Sequence, residues 1–129
     1  MADAYIADTH GLLWFLAGSS RLSPAARTIF RAARAGEVTI YVPVIVVAEI
    51  IWVVQSGNVS TDLARLLATI RTHYQVIPLT LEDVSHLSDL PRSLEMHDRM
   101  IVWETLKRQA TLVTRDETIR AVNVVPTVW

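Results

Sequence analysis

The sequence predicts an α/β domain built on a parallel sheet with helices over both faces. Two observations carry this. Short β-type runs alternate with longer helical patterns along the chain. The strand runs are continuously apolar rather than alternating, as expected of strands buried on both sides. The 129 residues suit one compact domain, residues 1–129, with a core that needs no covalent staples. In such sheets crossovers are right-handed, and ligands gather at the carboxyl ends of the strands.

Tyr5 to Asp8 reads as the first strand, followed by a short apolar helix from Leu12 to Ala17. Ser23-Pro24 opens a second helix, with Ser as N-cap, Pro at the first helical position and Gly36 beyond the end. Ala26, Ile29, Phe30 and Ala33 keep helical spacing there. Thr39 to Val42 is the second strand, closed by Pro43. Val44 to Gln55 is rich in β-branched residues, yet its length and the Ser56-Gly57 ending predict a buried helix.

Ser60 is expected to cap a fourth helix with Asp62 in its first turn, and Leu63, Leu66, Leu67 and Ile70 as its inner stripe. Val76 to Leu79 reads as the third strand, Glu82 to Leu90 as a short helix, and Asp98 to Gln109 as a longer one. Ala110 to Thr114 and Val122 to Val128 are the fourth and fifth strands.

The composition narrows the function. The chain has no cysteine, which excludes disulfides and thiolate metal sites and is compatible with a reducing, cytoplasmic setting. A 51% hydrophobic and 19% charged balance is globular and hints at a buried partner interface. The N-terminus lacks the pattern of a targeting segment. The most apolar stretch, Val38 to Val54, is interrupted by Pro43 and Glu49, so no membrane span is expected. The formal charge of −1 gives no overall basic field.

Four of the 13 acids stand where the strand-end rule puts a site. Asp8 ends the first strand, Asp98 opens a helix, Asp116 follows the fourth strand, and Glu49 lies mid-helix among apolar neighbours. Singly, Asp8, Asp98 and Asp116 are also what helix caps and turns select. Glu49 is harder to explain that way, because a carboxylate in apolar surroundings needs a cation or a shifted pKa. A shared metal answers for all four. Hard oxygen donors, with no Cys and no regular His pair, indicate Mg²⁺ or Mn²⁺. His10, His73, His86 and His97 show no ligand spacing, and His97 reads better as structural or surface. A receiver domain would need an Asp after the third strand, where Leu79-Thr80 stands, and a haloacid dehalogenase-type phosphatase an Asp at His10.

At these residues the chain resembles PIN-domain toxins of the VapC type. Asp8-Thr9-His10-Gly11-Leu12-Leu13-Trp14 is similar to their opening motif, and Leu22-Ser23-Pro24-Ala25-Ala26-Arg27 with Ile29 to the helix that follows. Glu49 matches the second acid, His97-Asp98-Arg99-Met100-Ile101 the third motif, and Leu112-Val113-Thr114-Arg115-Asp116 with Ile119 the fourth. Gly11 departs from the usual Ala, and Val102-Trp103-Glu104 from the small residues that usually follow the third acid.

The resemblance implies a three-layer α/β/α fold around a mostly parallel five-stranded sheet. It implies Mg²⁺ or Mn²⁺ held by Asp8, Glu49, Asp98 and Asp116, supported by the Thr114 hydroxyl, and cleavage of RNA. It also implies a homodimer and a cognate antitoxin. Glu117 is a possible accessory acid, and Arg99 and Arg115 are possible phosphate contacts. Setting the four acids aside turns the formal −1 into +3, so the remaining surface tolerates RNA. Trp14, Phe15, Phe30 and Trp52 are expected to line a groove for a partner helix.

Overall fold

Five strands order as β3-β2-β1-β4-β5 in one all-parallel sheet in the computed structural model, which describes residues 3–57 and 59–129. The elements follow as β1 (Ala4–Ala7), α1 (Thr9–Leu16), α2 (Pro24–Arg34), β2 (Thr39–Pro43), α3 (Val44–Gln55) and α4 (Leu63–His73). Then come β3 (Gln75–Ile77), α5 (Leu81–Ser85), a 3₁₀ turn at Leu87–Asp89, α6 (Met96–Lys107), β4 (Thr111–Val113), α7 (Glu117–Val122) and β5 (Thr127–Val128).

The order steps outward from β1 in both directions. Right-handed crossovers therefore place α1 to α4 on one face and α5 to α7 on the other. The reversal falls between β1 and β4, which pair in the register Tyr5↔Thr111, Ile6↔Leu112 and Ala7↔Val113. The crevice at the carboxyl ends of these two strands is where open α/β sheets bind ligands.

The strands form because apolar residues fill both faces: Ile6, Ala7, Ile40, Val42, Leu112 and Val113 are all buried. The helices close this core with one stripe each. Ser23 caps α2 through a bond from the Ala26 N–H, as expected, and Gly36 takes a positive φ of 78° just beyond its end.

Several boundaries differ from expectation. Asp62, not Ser60, caps α4, accepting from the Arg65 N–H. An ionised cap that also meets the helix dipole outcompetes a hydroxyl two residues earlier. The third strand ends at Ile77, before Pro78, which has no N–H for the ladder. Met96, not Asp98, begins α6, so Asp98 lies in its first turn. Residues 117–122 form a helix that was not expected, capped by Asp116 and closed by Asn123 in the left-handed region; the fifth strand shrinks to Thr127–Val128.

The predicted burial of α3 is also corrected. Only Val46 and Ile50 are buried; Trp52 is 75% exposed and Val44 42%. A helix against one sheet face hides one stripe, however apolar its remaining faces. The expected aromatic groove does not form as a set. Trp14 and Phe30 belong to the core, and Phe15 stacks on Phe30 with centroids 5.0 Å apart. Trp52 alone of the four stands at the surface. Among the described residues no helix is long and apolar enough to cross a membrane.

Candidate metal centre

Asp8 leaves β1 and caps α1. Its Oδ1 accepts from the Thr9 N–H at 2.7 Å, and its Oδ2 from the Thr114 hydroxyl at 2.6 Å. Its own N–H donates to the Val113 carbonyl at 3.2 Å, tying the end of β1 to the end of β4. Asp116 caps α7, accepting from the Ile119 N–H at 2.9 Å, and its own N–H donates to the Thr114 hydroxyl oxygen at 3.0 Å. Thr114 thus joins the first and last acids through one buried hydroxyl. The cap expected at Asp8 is there, while Asp98 caps nothing and Asp116, expected in a turn, caps α7; capping does not compete with a site, because it holds both Asp8 and Asp116 at the crevice.

Glu49, on α3, receives the Thr9 hydroxyl on Oε1 at 2.9 Å and faces His97 Nδ1 across 3.5 Å from Oε2. Its side chain is 29% exposed, so it sits at the rim of the crevice rather than in an apolar interior. Asp98 and Asp8 are both perturbed upward. Burial pushes the Asp98 carboxyl up to about 6, and the neighbouring Asp116, Asp8, Glu95 and Glu49 add to the rise. Burial also raises Asp8, against the opposing bonds from Thr114 and Thr9.

Asp98 therefore feels the charges of the other three acids, and Asp8 that of Asp116. Among the described residues no Lys or Arg comes within ion-pairing distance of any of them. An all-oxygen, uncompensated donor set fits a hard divalent cation in charge and chemistry. The cage is not closed, however: among the described residues no three Asp, Glu or His groups stand close enough together to hold an ion as they are.

The remaining candidates divide. Glu117 is exposed in the first turn of α7, beside Asp116. Arg99 donates through Nε to the Leu94 carbonyl at 2.9 Å, and Arg115 lies over the Trp14 ring at 4.6 Å, so both have structural attachments. Two residues were missed. His97, read as structural or surface, faces Glu49, and Thr9 bonds it. Thr9 stood beside Asp8 in the opening motif, but nothing in the sequence pointed it at a residue 40 positions away.

A parallel α/β domain with an acidic crevice at its switch point is the class these features define. The chain belongs to the PIN domain family, whose model matches residues 5–125. The fold is similar to that of a VapBC2 complex from Rickettsia felis bound to a promoter DNA fragment, with a TM-score of 0.71 and 15% identity over 97% of each chain. It is equally similar to a toxin–antitoxin complex from Klebsiella pneumoniae, with a TM-score of 0.71 and 15% identity over 97% of this chain and 96% of that one. A FitAB complex bound to DNA aligns with a TM-score of 0.71 and 13% identity, over 96% of this chain and 93% of the other. No curated protein matches the sequence.

Proposed function

We propose that the chain is a Mg²⁺- or Mn²⁺-dependent endoribonuclease, the toxin of a toxin–antitoxin pair. One observation carries this reading. Asp8, Glu49, Asp98 and Asp116, carried by four separate segments, gather at the switch-point crevice, and among the described residues none of them pairs with a Lys or Arg. Asp8, Glu49, Asp98 and Asp116 would hold the ion. When bound, it supplies a Lewis acid for a phosphodiester and an acidified water as nucleophile.

The chain's own residues do the rest. Thr114 keeps Asp8 and the start of α7 at fixed separation, and the raised carboxyl of Asp98 gives up its proton when a cation takes its place. The substrate would be an unstacked RNA strand, because a paired A-form groove is closed to side chains.

The same reading gives the chain a homodimeric form and a cognate antitoxin. One of the similar structures is a toxin–antitoxin complex, and another is VapBC2 bound to promoter DNA. On this chain the place for the partner's apolar helix is the outer face of α3. There Trp52 stands with Ile45, Ala48, Val53, Glu49 and His97 around an open cavity of about 420 Å³.

Metal-dependent cleavage of total RNA with mapped ends, run beside Asp8→Asn, tests the reading. The wild type should cut only with Mg²⁺ or Mn²⁺, and the variant should not cut while keeping its fold. Cleavage by the variant at wild-type rate overturns the site. A second reading, a PIN-like interaction module with weak or no nuclease activity, draws on the open spacing of the acids. It prevails if the wild type binds its partner but leaves RNA intact at every metal concentration.

A further inference from the structure

Thr9 differs from the other threonines that open or line helices here. Thr28, Thr69, Thr72 and Thr105 each donate to the carbonyl four residues back, the local bond that helical threonines make. Thr9 is the first residue of α1, where no helical carbonyl lies behind it. Its hydroxyl goes to the Oε1 of Glu49, 40 residues along the chain, at 2.9 Å. Its backbone N–H goes to Asp8 at 2.7 Å. The residue is 3% exposed, so water does not compete for either bond.

We infer that Thr9 is a positioning residue of the acidic crevice, fixing the spacing of Asp8 and Glu49 by bonding both and so holding two like charges ready for a shared cation. A hydroxyl suits this task better than a Lys or Arg. It satisfies one lone pair of Glu49, as the Thr9 N–H does for Asp8, without cancelling the negative field. The Thr114 hydroxyl likewise donates to Asp8 while its oxygen accepts from the Asp116 backbone N–H. Glu49, Thr9, Asp8, Thr114 and Asp116 thus form one continuous chain of bonds, and Thr9 is the link that brings α3 into it. Its supporting contacts orient the carboxylates as outer partners orient metal ligands elsewhere. The inference rests on reading the crevice as a metal centre.

The test is Mn²⁺ affinity by calorimetry, which needs no catalysis, on wild type, Thr9→Ser, Thr9→Val, Glu49→Ala and the Thr9→Val/Glu49→Ala double variant. Valine keeps the volume and removes the donor; affinity should fall about tenfold. Serine restores the donor and should restore affinity. In the Glu49→Ala background, where no acceptor is left, the valine should cost nothing further, because its effect passes through Glu49. A structural role alone would cost the same in both backgrounds, and that result overturns the inference, as does a Thr9→Val protein that binds Mn²⁺ like wild type. Should valine not fold, Thr9→Ala takes its place in the same cycle. A wild type that takes up no Mn²⁺ overturns the metal reading itself, which separates that failure from the failure of Thr9.

Discussion

Two groups of carboxylates, on either side of α6, solve the same electrostatic problem in opposite ways. At the crevice, among the described residues, Asp8, Glu49, Asp98 and Asp116 have no Lys or Arg paired to them. Behind it, between α5 and α6, Asp83 and Glu104 are 1% and 2% exposed and carry their own cations. Lys107 Nζ lies 2.8 Å from Asp83, and Arg108 Nη1 2.6 Å from Glu104. The Trp103 indole N–H and the Thr80 hydroxyl complete the shell of Asp83.

Burial raises Asp83, but the donors from Lys107, Trp103 and Thr80 win and hold it well below the usual carboxylate range. Burial and the adjacent Asp83 raise Glu104 against the pull of Lys107 and Arg108. The difference separates structure from site. A carboxylate pair neutralised from within fastens two elements together. A cluster left uncompensated keeps its field for something that arrives from solution.

The sharpest way to break this comparison is to remove one acid from each group. Asp98→Asn should lower RNA cleavage by roughly a thousandfold, the scale of losing one group that stabilises developing charge, and leave the unfolding midpoint of the metal-free protein unchanged or higher. Wild-type cleavage, or a collapsed fold, would mean that the crevice is structural. Asp83→Ala should do the reverse. It leaves Lys107 and the Trp103 N–H without their acceptor and should cost about 3 kcal/mol, read as a lower urea midpoint at constant slope, with cleavage per folded molecule unchanged.

The smallest effect is one of sign. Asp98 is raised in the folded state, so its contribution is present at low pH and lost as pH climbs through about 6. Asp83 is lowered, so its contribution is present above the ordinary carboxylate pKa and lost on acidification. Metal-free protein should therefore lose up to about 1 kcal/mol between pH 5 and 7.5, a value discounted for the partial exposure of Asp98. Asp98→Asn should flatten that slope and Asp83→Asn should not. Denaturant titrations at the two pH values decide; an unchanged slope in Asp98→Asn removes the like-charge account of the crevice.

The sequence was most readable where a residue's role depends on its own neighbours. Strand ends, the Ser23 cap and the positions of Asp8 and Asp116 follow from local pattern, and a parallel sheet then brings the acids to one edge. It was least readable where a role depends on a distant partner. Glu104, Asp83 and Lys107 look like ordinary charges on amphipathic helices until α5 and α6 pack. His97 and Thr9 gain their meaning only from Glu49. The helix at 117–122 is hidden because Asp116 reads as a site acid or a turn residue, although one carboxylate both caps and faces the crevice.

The bond from Thr114 to Asp8 joins positions 106 residues apart. Strand β1 takes β2 on one side early, but its other neighbour, β4, follows only after α6. During synthesis, which runs from the N-terminus, the crevice first exists only in halves. Asp8 and Glu49 wait until residues 111–116 emerge and close the sheet, a pairing of high sequence separation that forms late on topological grounds. A chain that has not yet brought out those residues holds two acids of the crevice and has no wall opposite them.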